Sequence, residues 1–221
     1  MKPRYAILLD GAFVAKCLGR VLKRRPTAQE VLGECARIRS HSALKDLDLL
    51  RIYWYDAPPA TGVIANPVDG KPTNLGQSEL YRWATSLHDT LEMQPDFALR
   101  MGEVSVAPSW TIHTRELRAI AQQKKPLQAE DFKPRIEQKG VDLRIGLDIA
   151  RLALKQFVTT IVVVTGDSDL VPAFKFARRE GVRVYLDHLG STSIKRALKA
   201  HADLVLQAEK PGAPANVEPP A

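Results

Sequence analysis

The sequence predicts an α/β protein with a mainly parallel central sheet covered by helices on both faces. Short apolar runs typical of buried strands alternate with segments of helical spacing along most of the chain. This alternation is typical of parallel sheets. Hydrophobic residues make up 45% of the chain and charged residues 26%, which predicts a folded core. A length of 221 residues is enough for one well-buried domain.

The first half of the chain predicts three strands and three helices. The apolar run 5–9 predicts the first strand, which ends at Asp10 and Gly11, and helical spacing follows at 13–21. Thr27 and Glu30 form a capping box that begins a second helix, ending near residue 43. The remaining elements are a strand at 49–55, a long Pro- and Gly-rich loop at 57–77, an amphipathic helix at 78–93 and a strand at 97–106.

The second half predicts a polar excursion followed by alternating helices and strands. Residues 107–139 are rich in Lys and Gln around Trp110. The elements predicted after them are helices at 143–157, 170–179 and 191–201 and strands at 160–165, 182–186 and 204–206. Several prolines follow residue 208, and they predict a disordered tail at 208–221. The sequence therefore predicts one folded domain over residues 1–207.

Composition and charge indicate the type of binding partner and the cellular compartment to expect. The net charge is +7, and a basic excess favours a polyanion such as nucleic acid or a membrane surface. The N-terminus is too short for a signal peptide, and no apolar run approaches ~20 residues, so we expect no membrane span. Cys17 and Cys35 lie in apolar segments, which predicts reduced core thiols. These features together predict a cytoplasmic protein.

Acidic residues follow two of the predicted strands at their carboxyl ends. Asp10 comes after the first strand, and Asp167 and Asp169 come after the strand at 160–165. If these strands are neighbours in the sheet, the three carboxylates meet at one edge and repel each other. A divalent cation removes that repulsion, and Mg²⁺ or Mn²⁺ prefers oxygen ligands of this kind. Such an ion can activate water for phosphodiester hydrolysis.

Each acid also has a simpler interpretation, which the residues alone leave open. Asp is a common turn residue after a strand, and Asp169 is placed to cap the following helix. Asp142 is equally placed as an N-cap. Asp148 lies within a predicted helix between Leu147 and Ile149, and a carboxylate buried there needs a partner.

Two motifs resemble the NYN domain family of the PIN-like nuclease superfamily. The first is QKGVDLRIGLD at 138–148, and the second is VTGDSDLVP at 164–172. Shorter segments fit the same pattern, and the resemblance covers roughly residues 4–207. These segments are Leu8–Gly11, Tyr55-Asp56, Arg179–Val184 and Ala202-Asp203.

The resemblance implies a three-layer α/β/α PIN-like fold and a metal-dependent endoribonuclease that acts on single-stranded or structured RNA. It implies Mg²⁺ or Mn²⁺ as the cofactor and leaves a homo-oligomer open. By position, the implied metal ligands are Asp10, Asp148, Asp167 and Asp169. Asp142 matches an additional catalytic acid of the family, and Lys139 matches a lysine that lies close to it in the sequence.

Substrate contacts are predicted from basic and hydroxyl side chains near these motifs. The segment Ser191–Ser193 is predicted to begin a helix, whose free N–H groups bind phosphate. Thr165 and Ser168 are placed to orient a metal-bound water, and Trp110 is placed to stack on a base. The predicted substrate-binding residues are Lys139, Arg144, Thr165, Ser168, Ser191 and Lys195, with Arg196 as a further phosphate contact.

One departure from the family pattern, and one resemblance to another family, keep alternative functions open. Many family members have Asn where this chain has Phe13, and Phe cannot make the polar contact that Asn supplies. An RNA-binding module without catalytic turnover is therefore one alternative. A phosphatase of the haloacid-dehalogenase type is a weaker one, because its chemistry needs an acid two residues after Asp10, where this chain has Ala12.

Overall fold

A computed structural model describes residues 2–112 and 114–206, so the predicted tail at 208–221 lies outside the described residues. The strands are β1 (Arg4–Asp10), β2 (Asp48–Asp56), β3 (Val63–Ala65), β4 (Pro72–Asn74), β5 (Phe97–Met101), β6 (Glu103–Ile112), β7 (Phe132–Lys139), β8 (Thr160–Val164), β9 (Arg183–Asp187) and β10 (Leu204–Leu206). The helices are α1 (Gly11–Leu22), α2 (Ala28–Arg39), α3 (Glu79–Glu92), α4 (Thr114–Ala121), α5 (Val141–Leu154), α6 (Val171–Arg179) and α7 (Arg196–Ala200).

The central sheet has six parallel strands in the order β10-β9-β8-β1-β2-β5. Helices cover both of its faces, which confirms the predicted α/β/α architecture of the PIN-like type. β1 lies between β2 and β8, so the first strand and the strand at 160–164 are neighbours, as the predicted meeting of their carboxyl ends requires. Ligands of such sheets bind beyond these carboxyl ends.

The core consists of two apolar layers, one on each face of the sheet. Along β1, Ala6 and Leu8 point into one layer, while Ile7 and Leu9 point into the other, as the period of two in a strand requires. Helices α5 and α6 cover the first layer, whereas α1, α2 and α3 cover the second. Both faces are buried, which explains why the strand sequence is continuously apolar.

The segment 97–139 differs from its prediction. The predicted strand at 97–106 divides at Gly102 into β5 and β6, and β6 pairs with β7 in an antiparallel ribbon outside the central sheet. A side chain at Gly102 would place its Cβ 2.6 Å from the Lys139 carbonyl oxygen, so this close approach requires glycine. The predicted polar excursion at 107–139 is therefore wrong in part, since most of it is strand and helix. Trp110 lies in β6 opposite Pro134.

Two smaller predictions are also corrected. The loop at 57–77 contains the antiparallel pair β3–β4 and a 3₁₀ turn at 75–77. The predicted helix at 191–201 is limited to α7, because residues 191–195 follow a tight turn in which Leu189 and Gly190 have positive φ. Ser191 therefore does not begin a helix. Within the described ranges, no helix combines the length and apolar character needed to cross a membrane.

Candidate functional site

A cleft of about 460 Å³ lies beyond the carboxyl ends of β1 and β8. Three carboxylates line it, those of Asp10, Asp142 and Asp167. They come from three separate parts of the chain: the end of β1, the first turn of α5 and the segment after β8. The sheet order brings them together, as the strand-end positions of Asp10 and Asp167 predicted.

Asp10 is the most buried of these acids, with 9% of its surface exposed. Its Oδ1 accepts a hydrogen bond from the Phe13 N–H (3.1 Å) and thereby caps α1, while its Oδ2 accepts from the Thr165 hydroxyl (3.0 Å). Burial raises the pKa of Asp10 to about 6, and repulsion from Asp142 and Asp167 adds to the effect. Asp10 is therefore a carboxylate whose charged form the fold disfavours.

Asp142 and Asp167 form the other side of the cleft. Burial, followed by repulsion from Asp167 and Asp169, raises the pKa of Asp142. The Asp167 Oδ1 accepts from the Asp169 N–H (2.9 Å), which fixes the turn that leads into α6. Asp169 is exposed and lies near enough to repel Asp142, but it does not line the cleft. Negative charge therefore accumulates here.

Asp148 has a different environment from the one predicted for a metal ligand. The Arg100 guanidinium donates to both carboxylate oxygens, from Nε to Oδ2 (2.7 Å) and from Nη2 to Oδ1 (3.0 Å). The Tyr55 hydroxyl donates to Oδ2 (2.9 Å). Asp148 does not line the cleft, and the partner that a buried mid-helix carboxylate needs is Arg100. The structure therefore does not bring Asp148 together with Asp10 and Asp167.

The donor set of the cleft partly fits a hard divalent cation. Carboxylate oxygens are the ligands that Mg²⁺ and Mn²⁺ prefer, and a cation would relieve the repulsion that raises the pKa values of Asp10 and Asp142. Across residues 2–112 and 114–206, however, no group of three or more His, Cys, Asp or Glu side chains is arranged closely enough to hold a metal ion. The acids share a cleft without forming a finished coordination shell.

None of the six predicted substrate-binding residues lines the cleft. Thr165 is fully buried, and its hydroxyl both donates to Asp10 and accepts from the Asp167 N–H (3.1 Å), so it positions two acids. The Ser191 hydroxyl is paired with that of Ser193 (3.2 Å). Arg144 donates to the Gly140 carbonyl oxygen (3.1 Å). The predicted residues that do not line the cleft are Lys139, Arg144, Thr165, Ser168, Ser191 and Lys195.

Several residues that line the cleft were missed from the sequence. Lys16 brings an exposed ammonium group to it from α1, one helical turn after Phe13. Gln138 and Ser193 add polar groups from β7 and from the segment before α7. The i, i+3 spacing of Phe13 and Lys16 on a helix that starts at Asp10 would have indicated Lys16. The placement of Gln138 depends on the β6–β7 ribbon, and that of Ser193 depends on the turn at 188–191. The sequence predicted neither element.

Phe13 and Ala12 both face the cleft. A side chain at Gly166 would overlap the ring of Phe13, so the glycine of the second motif and this phenylalanine are packed against each other. The position where many family members have Asn thus presents an apolar ring beside Asp10. Ala12 adds no acid at the position that a phosphatase of the haloacid-dehalogenase type needs.

The family model that matches the chain is that of the NYN domain, over residues 105–209. Residues 105–209, slightly less than half of the chain, match this domain family. This match confirms the predicted family, which is a PIN-like nuclease family. The matched residues contain Asp142, Asp167 and the β6–β7 ribbon, while Asp10 lies on a strand outside them.

Other comparisons add little to the NYN match. A crystal structure of a protein of unknown function from Vibrio parahaemolyticus is similar at 15% sequence identity and a TM-score of 0.49. The similarity covers 93% of this chain and 92% of that one. No match was found among curated proteins.

Proposed function

We propose that this NYN protein is a divalent-metal-dependent endoribonuclease that hydrolyses RNA phosphodiester bonds in the cleft beyond β1 and β8. One observation carries the proposal: Asp10 is buried beside Asp142 and Asp167, and its pKa is raised to about 6. A fold that maintains such repulsion at a ligand-sized cleft is typical of a functional site. A cytoplasmic location and RNA as the substrate stay predictions.

Asp10, Asp142 and Asp167 would hold the ion, with Asp169 beside them. When bound, Mg²⁺ or Mn²⁺ supplies an activated water and charge stabilisation for the leaving oxygen. The Thr165 hydroxyl keeps the Asp10 carboxylate directed at the cleft, and the Asp169 N–H fixes that of Asp167. The Lys16 ammonium lies where it can neutralise a phosphate oxygen. Asp148 has no part in this mechanism, because Arg100 and Tyr55 already satisfy it.

An RNA-binding protein without turnover is the second candidate, and Phe13 is the observation that favours it. The ring faces the cleft where a polar group would contact water or substrate. Binding requires only that the ion and the basic groups neutralise phosphate, whereas hydrolysis also requires an oriented water. The two candidates therefore differ in cleavage and agree in binding.

The deciding experiment incubates purified protein with labelled single-stranded RNA and Mn²⁺, with and without chelator. We expect cleavage that the chelator abolishes and that Asp167→Asn lowers by roughly 10²-fold or more, as the loss of a metal-ligating carboxylate would cause. Asp89→Asn is the matched control, because Asp89 is an exposed acid on α3 outside the cleft. Binding without cleavage across several RNAs would favour the second candidate, and equal cleavage by Asp167→Asn would reveal a contaminant.

A further inference from the structure

A second concave surface lies at the end of the sheet opposite the cleft. It has a volume of about 540 Å³, and we call it the basic concavity. Four cationic side chains line it with a single acid: Lys175, Arg178, Arg179 and Arg183, with Asp203. The first three lie on α6, and Arg183 is the first residue of β9. The cleft lies at the opposite edge of the sheet, beyond the carboxyl ends of β1 and β8. Five strand residues separate the two ends, which corresponds to about 16 Å.

Two of the four guanidinium and ammonium groups are held in place by neighbouring residues. The Arg178 Nε donates to Asp203 Oδ1 (2.8 Å), and Asp203 Oδ2 accepts from the Val184 N–H (2.8 Å). The Arg183 guanidinium lies over the ring of Tyr185, 5.3 Å from its centre. The bond to Asp203 uses the Arg178 Nε, and Arg178 also lines the concavity. Little side-chain entropy is then lost when an anion binds, which favours affinity.

The charges are not explained by the stability of α6. Lys175, Arg178 and Arg179 occupy positions i, i+3 and i+4, so they share one face of the helix, and like charges at this spacing destabilise it. The helix dipole favours cations in the last turn, where Arg178 and Arg179 lie. It does not account for Arg183, which lies on β9. Asp203 neutralises only one of the four cations, so an excess of positive charge faces one concavity.

We propose that the basic concavity binds the phosphate backbone of a single-stranded RNA whose scissile segment occupies the cleft. This inference rests on the proposed function for the identity of the polyanion and for the place of its scissile segment. Exposed Arg and Lys groups neutralise phosphates and release their counterions, which makes binding dependent on salt and independent of sequence. A contact at this distance from the cleft gives longer RNA chains an advantage that short fragments lack.

The test titrates the full chain with fluorescent oligouridylate in chelator, over a range of salt concentrations, so that cleavage does not enter. The variant is Arg179→Gln/Arg183→Gln, which leaves the Arg178–Asp203 bond intact. The matched control is Lys23→Gln/Lys45→Gln, which removes two exposed cations elsewhere. We expect the variant to weaken binding about fivefold or more and to make the slope of log affinity against log salt shallower by about 1.4, the contribution of two phosphate contacts on a single strand.

The outcomes separate this inference from others. Equal effects of the two double variants, or an unchanged salt slope, would overturn it. Thermal stabilisation by inorganic phosphate at matched ionic strength, lost in Arg179→Gln/Arg183→Gln while RNA binding is retained, would also overturn it and assign the concavity to free phosphate. Preferential binding to vesicles containing phosphatidylserine would assign it to a membrane surface. If cleavage fails while the salt-dependent binding is observed, only the proposed hydrolysis is contradicted. If the binding test fails while cleavage is observed, only this inference is contradicted.

Discussion

The four inner strands of the sheet all end at or near an acid, yet these acids belong to two different groups. In the order β9-β8-β1-β2, the middle pair are Asp167 and Asp10, which face the cleft. The outer pair are Asp187 and Asp56. Asp187 is ion-paired with Arg37 and also accepts from the Leu189 N–H (2.8 Å). Asp56 binds the His88 Nε2 (3.0 Å) and accepts from the Gln138 amide (2.9 Å).

The difference teaches that pairing with a basic side chain, which saturates the carboxylate, and not position at a strand end, distinguishes a structural carboxylate from one available to a ligand. Among the described residues, no Lys, Arg or His forms an ion pair with Asp10 or Asp167. Buried charges are tolerated when they are paired. A buried carboxylate without a basic partner is therefore one whose charge a bound cation would compensate. Asp148, which the family resemblance placed with the cleft acids, belongs with the saturated group.

The largest expected effect comes from Asp148. Asp148→Ala removes three hydrogen bonds and leaves the buried Tyr55 hydroxyl without its partner. We expect the free energy of unfolding, measured by urea denaturation, to fall by about 3–5 kcal/mol, as for other broken buried pairs. Mn²⁺ affinity, measured by calorimetry, stays at the level of Asp89→Ala, the exposed control. Loss of Mn²⁺ binding with unchanged stability would place Asp148 among the cleft acids and would contradict this division into two groups.

Asp10 should show the opposite behaviour, a gain in stability when its charge is removed. Its folded pKa of about 6 lies above its ordinary value, so ionisation destabilises the metal-free protein above pH 6 and not below about pH 4. The rise of the Asp10 pKa from 3.8 to about 6 corresponds to roughly 3 kcal/mol. Asp10→Asn in chelator should therefore be more stable than the parent at pH 8, with the difference vanishing near pH 4.

Urea denaturation of both proteins between pH 4 and pH 8 measures this difference. Comparing the two proteins cancels the titration of acids whose surroundings the substitution leaves unchanged. A difference that is independent of pH would mean that Asp10 is not the strained group. Saturating Mn²⁺ should reverse the order at pH 8, because the ion stabilises only the protein that retains the carboxylate.

The sequence predicted the parallel sheet and the proximity of Asp10 and Asp167, because both depend on short-range signals. An apolar strand followed by Asp-Gly or Gly-Asp fixes where the chain turns, and parallel topology then brings the two turns to one edge. The same signal was present at Asp187, which directly follows the predicted strand at 182–186. Its partner Arg37 on α2 is 150 residues away, and local sequence patterns do not predict that contact.

The rest of the site depends on contacts that local patterns do not contain. The structural role of Asp148 is determined by its ion pair with Arg100, which lies on β5 at the edge of the sheet. The contribution of Gln138 depends on the β6–β7 ribbon, whose start at Gly102 reflects a close approach to Lys139. The basic concavity combines residues of α6 and β9 with Asp203 before β10. In each case a tertiary contact decides what a residue type alone leaves open.

A smaller effect is expected at Thr165, which connects two of the three cleft acids, Asp10 and Asp167. Thr165→Val removes the hydroxyl that donates to Asp10 and accepts from the Asp167 N–H, leaving buried groups without partners. We expect a loss of about 2 kcal/mol in the free energy of unfolding and weaker Mn²⁺ binding. Thr165→Ser retains the hydroxyl and should keep Mn²⁺ affinity near that of the parent. Equal Mn²⁺ affinity in the Val and Ser variants would show that the hydroxyl does not position the acids.

The smallest effect is expected at Phe13, and it tests whether the acids that line the cleft support hydrolysis or only binding. Phe13→Asn places an amide beside Asp10, where it can orient water or a phosphate oxygen. We expect the single-turnover rate of RNA cleavage with Mn²⁺ to rise by about tenfold, or roughly 1.4 kcal/mol in the barrier. Phe13→Leu, which relieves the contact with Gly166 without adding polarity, should leave the rate unchanged. An equal gain in both variants would attribute the effect to space in the cleft, and no gain in either would mean that Phe13 does not limit the cleavage step.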